Sequence, residues 1–93
     1  MAVDQLMTFA GYSEVFNIGT DTQLDFQLTP TQEAYVSFQS STDGGTTWSD
    51  GGSQAVLEAP DSGAIPGQAA NTQYRIYFFG GIGTLHVQFD STP

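Results

Sequence analysis

An enzyme built from this chain would have to work with ten acidic residues, one histidine and one arginine, with neither lysine nor cysteine. His86 falls on the polar side of an alternating segment, and no serine is marked by the Gly-x-Ser-x-Gly turn that exposes a nucleophile at a strand–helix junction. A Ser-His-Asp triad therefore has no visible anchor, and cysteine chemistry is excluded. Paired carboxylates would suffice for glycoside hydrolysis, yet the acids are spread one to a loop or strand face. Asp43 and Asp50, with Asp61 as a third neighbour in space, come nearest to an oxygen cluster for Ca²⁺. No dense Asp-x-Asp-x-Asp loop is present, so these read first as solvated turn acids; catalytic residues, metal and cofactor are all expected to be none.

Arg75 is the only fixed positive charge in the chain. Paired with a cross-strand acid at the surface, it would contribute roughly 0 to 1 kcal/mol. As an anchor at a subunit contact it would instead select a partner carboxylate, the kind of role in which arginine is enriched at interface hot spots. Its context is Tyr74-Arg75-Ile76-Tyr77-Phe78-Phe79, a strand with two apolar faces. One face packs a core. The other, carrying Arg75, Tyr77 and Phe79, needs a cover of its own: the N-terminal segment of the same chain, a sugar, or a protein partner. Phe is an uncommon sugar stacker beside Trp and Tyr, which favours the protein over the sugar, and Arg75, Tyr77 and Phe79 are the candidate interface residues.

The elements that position these residues announce themselves first at Ser41-Thr42-Asp43-Gly44-Gly45-Thr46-Thr47-Trp48. The octapeptide matches the Asp-box pattern Ser/Thr-x-Asp-x-Gly-x-Thr-Trp at every specified position: Ser41, Asp43, Gly45, Thr47 and Trp48. The pattern predicts a β-hairpin in which the Asp43 carboxylate accepts backbone N–H groups of the turn while Gly44 and Gly45 supply positive φ. Trp48 is expected to begin the returning strand and pin the hairpin onto the core. The motif resembles the Asp-box hairpins of sialidases, where it lies away from the active site, and of many secreted and viral β-proteins. Sialidase activity itself needs several arginines and a far larger propeller, so the resemblance carries a fold element without the enzyme. Replacing Asp43 should lower stability before it alters any recognition.

Period-two alternation dominates elsewhere. Leu24, Phe26 and Leu28 alternate with Gln23, Asp25 and Gln27 and stop at Pro30; Val36 and Phe38 lead into the Asp-box turn. Tyr74, Ile76 and Phe78 are followed by the glycine-rich loop 80–83 and then by Leu85, Val87 and Phe89, a second hairpin. Further strands are expected at 5–9, 14–18 and 55–58. The stretch 59–71, with two prolines and two glycines, reads as a loop crossing between sheets. The whole predicts one all-β domain over 1–93: a small antiparallel β-sandwich, immunoglobulin-like or jelly-roll-like, of about six to eight strands.

A chain of 93 residues buries only roughly 60 to 65% of its unfolded surface, and without disulfides oligomerisation or a partner is the expected reinforcement. A formal net charge of −9 disfavours nucleic acid. No apolar run approaches a membrane span and the first residues lack the basic region of a signal peptide, so a soluble protein made in a cytoplasm and making no membrane contact is expected. Size, the lysine-poor acidic composition, the single Asp-box hairpin and the late Tyr-Arg-Ile hairpin together resemble the small all-β decoration or cement proteins of bacteriophage heads. That resemblance implies a virion location on the outer capsid surface, the major capsid protein as partner, and a homo-oligomer, dimer or trimer, that stabilises the shell. An acidic protein suits the outer face because it would repel packaged DNA from within. Two alternatives stay open: a carbohydrate-binding or adhesin module of a fibre, tail or cell surface, and a tail or neck structural protein.

Overall fold

The computed structural model describes residues 3–50 and 55–93. Among them run ten strands: β1 (Val3–Met7), β2 (Gly11–Tyr12), β3 (Phe16–Asn17), β4 (Gln23–Pro30), β5 (Ala34–Ser41), β6 (Ser49–Asp50), β7 (Ala55–Leu57), β8 (Asp61–Ile65), β9 (Gln73–Gly81) and β10 (Leu85–Thr92). They form two antiparallel sheets packed into a β-sandwich. The first sheet has the order β1-β10-β4-β8; the second centres on β9 and β5, with β2 and β3 along the free side of β9 and β6 and β7 along the free side of β5. The described residues contain no helix long and apolar enough to cross a membrane.

Alternation fixes which way each long strand faces. In β4 and β10, Leu28 stands beside Val87 and Phe26 beside Phe89, so the apolar sets of both strands share the inner face. In the second sheet Val36 pairs with Phe78 and Phe38 with Ile76. Tyr74, Ile76, Leu24, Leu85, Val87 and Phe89 are the largest fully buried side chains. Phe89 ties the layers together: it stacks on Phe16 at 6.1 Å between centroids and meets Phe38 edge-on at 5.9 Å, while Phe38 meets Phe26 edge-on at 5.4 Å. Such offset and T-shaped contacts suit the ring quadrupoles and add to the area buried.

The strand count exceeds the expected six to eight because β2, β3 and β6 are two-residue pairings that carry no alternation of their own. The expected first strand is displaced: β1 is Val3–Met7, with Val3 and Met7 buried and Phe9 83% exposed beyond its end. The expected strand at 14–18 is reduced to β3 at 16–17, with β2 pairing separately before it. Ser13 both donates its N–H to the Ile76 carbonyl and accepts the Ile76 N–H on its hydroxyl, each at 2.8 Å, which replaces the ladder there and lets residues 14 and 15 bulge outward. The stretch 59–71 is not wholly a loop: residues 61–65 form β8, paired with β4 from Leu28↔Asp61 to Leu24↔Ile65. Pro60 and Pro66 bracket it, and its small, exposed residues show no alternation because an edge strand lying on the rim presents little to the core.

Candidate functional site

The hairpin between β5 and β6 is held by side chain to backbone bonds. The Ser41 hydroxyl donates to Asp43 Oδ1 at 2.7 Å and accepts the Gly45 N–H at 3.0 Å. Asp43 Oδ1 also accepts the Thr47 N–H at 2.9 Å, and Oδ2 accepts the Thr47 hydroxyl. Gly44 and Gly45 take φ of 76° and 88°, a region costly for any residue with a Cβ. Hydrogen bonds from the Thr47 hydroxyl, the Thr47 N–H and the Ser41 hydroxyl stabilise the ionised carboxylate and lower the Asp43 pKa from 3.8 to about 2. The sign follows directly. A depressed pKa contributes stability that is complete above the unfolded value of 3.8 and is lost as pH falls through about 2. Asp43→Asn and Asp43→Ala are therefore expected to melt below the wild type at neutral pH, with the gap closing between pH 4 and 2 in thermal unfolding scans. A gap independent of pH would remove the carboxylate from this role.

Trp48 does not sit in the sandwich core. Gln39 pairs with Asp50 and Ser40 with Ser49; Gln39 and Asp50 join side chains on the outer face, so Trp48, two residues before Asp50, also faces outward. It is half-buried, and its indole N–H donates to the Gly45 carbonyl at 3.1 Å. Instead of core, it covers Arg75.

That contact opens a row of planar groups across the outer face of the second sheet. The Arg75 guanidinium carbon lies 4.1 Å from the Trp48 ring centroid and 3.9 Å from that of Tyr12. Tyr12 stacks on Tyr77 at 4.7 Å, Tyr77 meets Phe79 at 5.6 Å, and Phe79 stacks on Tyr35 at 5.9 Å. Strand pairing sets this order. Arg75, Tyr77 and Phe79 share the outer face of β9, Tyr12 pairs across from Tyr77, and a bulge that opposes Tyr35 to Gly80 and Val36 to Phe78 leaves Phe79 as the extra residue beside Tyr35. Two planar groups 3.9 and 4.7 Å from one ring cannot share one side of it, so Tyr12 is inserted between Arg75 and Tyr77. The N-terminal segment thus covers part of the Arg75–Tyr77–Phe79 row, while Tyr12 itself remains 54% exposed.

Polar groups line the β5 side of this row. Asp50 Oδ1 accepts from the Ser37 hydroxyl at 2.8 Å and from Gln39 Nε2 at 3.2 Å, and Gln39 Oε1 accepts from Arg75 Nε at 2.7 Å. The local ion pair considered for Arg75 is replaced by this amide bond and by the two rings; among the described residues no acid pairs with Arg75, and His86 meets Asp4 on the other sheet. Tyr35 donates its hydroxyl to Glu33 at 2.5 Å, and that bond together with the charge of Glu33 raises its pKa. Asp43, Asp50 and Asp61 do not converge, and among the described residues no three acidic or histidine side chains form a metal-ligand group.

The outer face of the first sheet is different in kind. Asp4, His86, Gln88, Gln27, Asp25 and Asp90 line it, with Asp25 directly across from Asp90. No protein-family model matches the chain, and no curated protein matches it. The contrast between the two faces is thus the strongest functional signal in the molecule: one is acidic and amide-rich, the other a packed aromatic row around the single arginine. Tyr12, Tyr35 and Gln39 belong to that row's surroundings and are not singled out by the sequence, which marks Asp50 only as a candidate Ca²⁺ ligand. Tyr35, Ser37 and Gln39 do alternate with the core-facing Val36 and Phe38, a pattern sufficient to place them outward; nothing in the sequence aligned Tyr12 with Tyr77.

Proposed function

We propose that this chain is a non-enzymatic structural protein of a phage virion, a decoration or cement protein that docks on the outer surface of the head through the aromatic face of its second sheet. The observation that carries the reading is the stacking order of that face. Tyr12 and Arg75 each have two planar neighbours, and the ring contacts continue through Tyr77 and Phe79 to Tyr35. A sugar stacks on a free ring face, whereas here Tyr12, Tyr77 and Phe79 each have two planar neighbours and only the end rings, Trp48 and Tyr35, have one. Rings and hydroxyls grouped around one arginine have the composition of protein interface cores. The opposite, acidic face stays hydrated, which suits a protein that meets its partner on one side only.

The mechanism is mechanical: buried aromatic contacts between the protein and the major capsid protein, repeated around a symmetry axis by a dimer or trimer, resist shell expansion. Purified protein mixed with undecorated capsids is expected to bind and to raise the melting temperature of the shell. Tyr77→Ala should weaken that binding by about tenfold or more, as hot-spot truncation does. Neither binding nor a melting shift would end the proposal. Selective glycan-array binding that is lost in Tyr77→Ala would replace it by the carbohydrate reading, and density on the tail of an intact particle would move it from head to tail.

A further inference from the structure

We infer that the Trp48–Arg75–Tyr12 stack is a receptor for one carboxylate, supplied by an aspartate or glutamate side chain on a partner protein whose surrounding surface is basic. The identity of that partner as capsid rests on the docking reading above; the chemistry of the site does not. The guanidinium is fixed in three ways. Its central carbon lies over the Tyr12 ring at 3.9 Å and over the Trp48 ring at 4.1 Å. Its Nε is held by Gln39 Oε1 at 2.7 Å. Gln39 is in turn oriented, because its Nε2 donates to Asp50 Oδ1, which leaves only the amide oxygen for Arg75.

With two rings against it and Nε engaged, Arg75 keeps the N–H groups of its two terminal nitrogens for a partner. Those nitrogens have no hydrogen-bond or ion-pair partner among the described residues. In-plane paired donors match a carboxylate in the two-pronged geometry that lysine cannot reproduce. A guanidinium already immobilised between rings loses little side-chain entropy on binding. Asp50, the acid nearest along the network, is not the occupant: its Oδ1 is held by Ser37 and Gln39, and no ion pair joins it to Arg75. Charge then selects the source. A formal charge of −9 repels a small acid or a phosphate approaching from solution. It attracts a basic protein surface, which can carry one carboxylate to Arg75 as it docks.

The test uses the full chain and two readouts. The Arg75 Nε–H and Trp48 Nε1–H resonances are followed while sodium acetate is added, against sodium chloride at matched ionic strength. A saturable shift in the millimolar range with acetate and none with chloride is expected, lost in Arg75→Gln and weakened in Arg75→Lys, which keeps the charge without the fork. No saturable shift in the wild type overturns the inference. N-acetylneuraminate binding more than about tenfold tighter than acetate overturns the protein source in favour of an acidic sugar. In the second readout, capsid binding is expected to fall by about tenfold or more in Arg75→Gln and less in Arg75→Lys, with both variants checked for a native melting transition. Undiminished capsid binding by Arg75→Gln overturns the inference and leaves the docking reading intact. Acetate binding by a wild-type chain that ignores capsids overturns both the capsid partner and the docking reading.

Discussion

Phe89→Ala is expected to lower the unfolding free energy by about 3–5 kcal/mol, a large part of the roughly 5–15 kcal/mol that holds a domain of this size together. Phe89, on the first sheet, is 2% exposed and touches two rings of the second, Phe16 and Phe38. Its removal therefore forfeits transfer energy and also opens a cavity at the point where the layers meet, which a sandwich cannot close without shifting a whole strand. Urea unfolding should show a lower midpoint at nearly unchanged slope. Phe9→Ala is the matched control. Phe9 is 83% exposed, so its loss should stay within about 0.5 kcal/mol of the wild type. Comparable losses in the two variants would mean that the inner and outer faces have been assigned wrongly.

What made Phe89 legible in the sequence is that Leu85, Val87 and Phe89 alternate with polar residues over a strand long enough to show its period, and the same holds for β4 and β9. The strands that stayed illegible have physical reasons in common. The β8 segment lies on a sheet rim and presents small residues to solvent on both sides, so no burial pattern is imposed on it. Positions 11–12 and 16–17 pair for two residues at a time, and the Ser13 hydroxyl, which takes a ladder position, looks like any loop serine. The candidate site divides in the same way. Arg75, Tyr77 and Phe79 stand out because a strand with two apolar faces must cover both. Their neighbours do not stand out, since Tyr12 reaches the row through a pairing 65 residues away in sequence from Tyr77. The Asp-box pattern and the large apolar surface of Trp48 point it to the core; the parity of the Gln39–Asp50 pair, visible only once the hairpin register is known, turns it outward. The same step changed the reading of Arg75. Opposite charge suggested an acid as its partner, but two aromatic rings and a glutamine occupy that place, and a cation over aromatic faces needs no counter-ion to be held.

Gly81→Ala is expected to cost on the order of 3 kcal/mol, combining the strain of a left-handed backbone with forced overpacking. Gly81 has φ of 115°, and a Cβ there would meet the Glu33 carbonyl within contact distance and the Ala34 Cα at 2.9 Å. Both obstacles are backbone, at the start of the strand that pairs with it and at the residue just before, so neither can rotate away. Gly83 provides the contrast. It also has positive φ, at 92°, but its Cβ would meet the Thr31 hydroxyl and the Gln32 side chain, which can move. Gly83→Ala should therefore cost only the backbone strain, about 1–2 kcal/mol. The two substitutions also differ in what they reach. Gly80 and Gly81 pair with Tyr35 and Ala34 at the end of the sheet where Phe79 bulges out to stack on Tyr35. Backbone displacement at Gly81 should separate those two rings, whereas Trp48 at the far end of the row keeps its place over Arg75. Below the melting transition Gly81→Ala is accordingly expected to retain the wild-type tryptophan emission maximum while losing the Tyr35–Phe79 contact, seen as a loss of cross-relaxation between the two rings by NMR. A red-shifted Trp48 emission in the folded variant would show that the aromatic row responds as one rigid unit from end to end, and that its two ends are not independent.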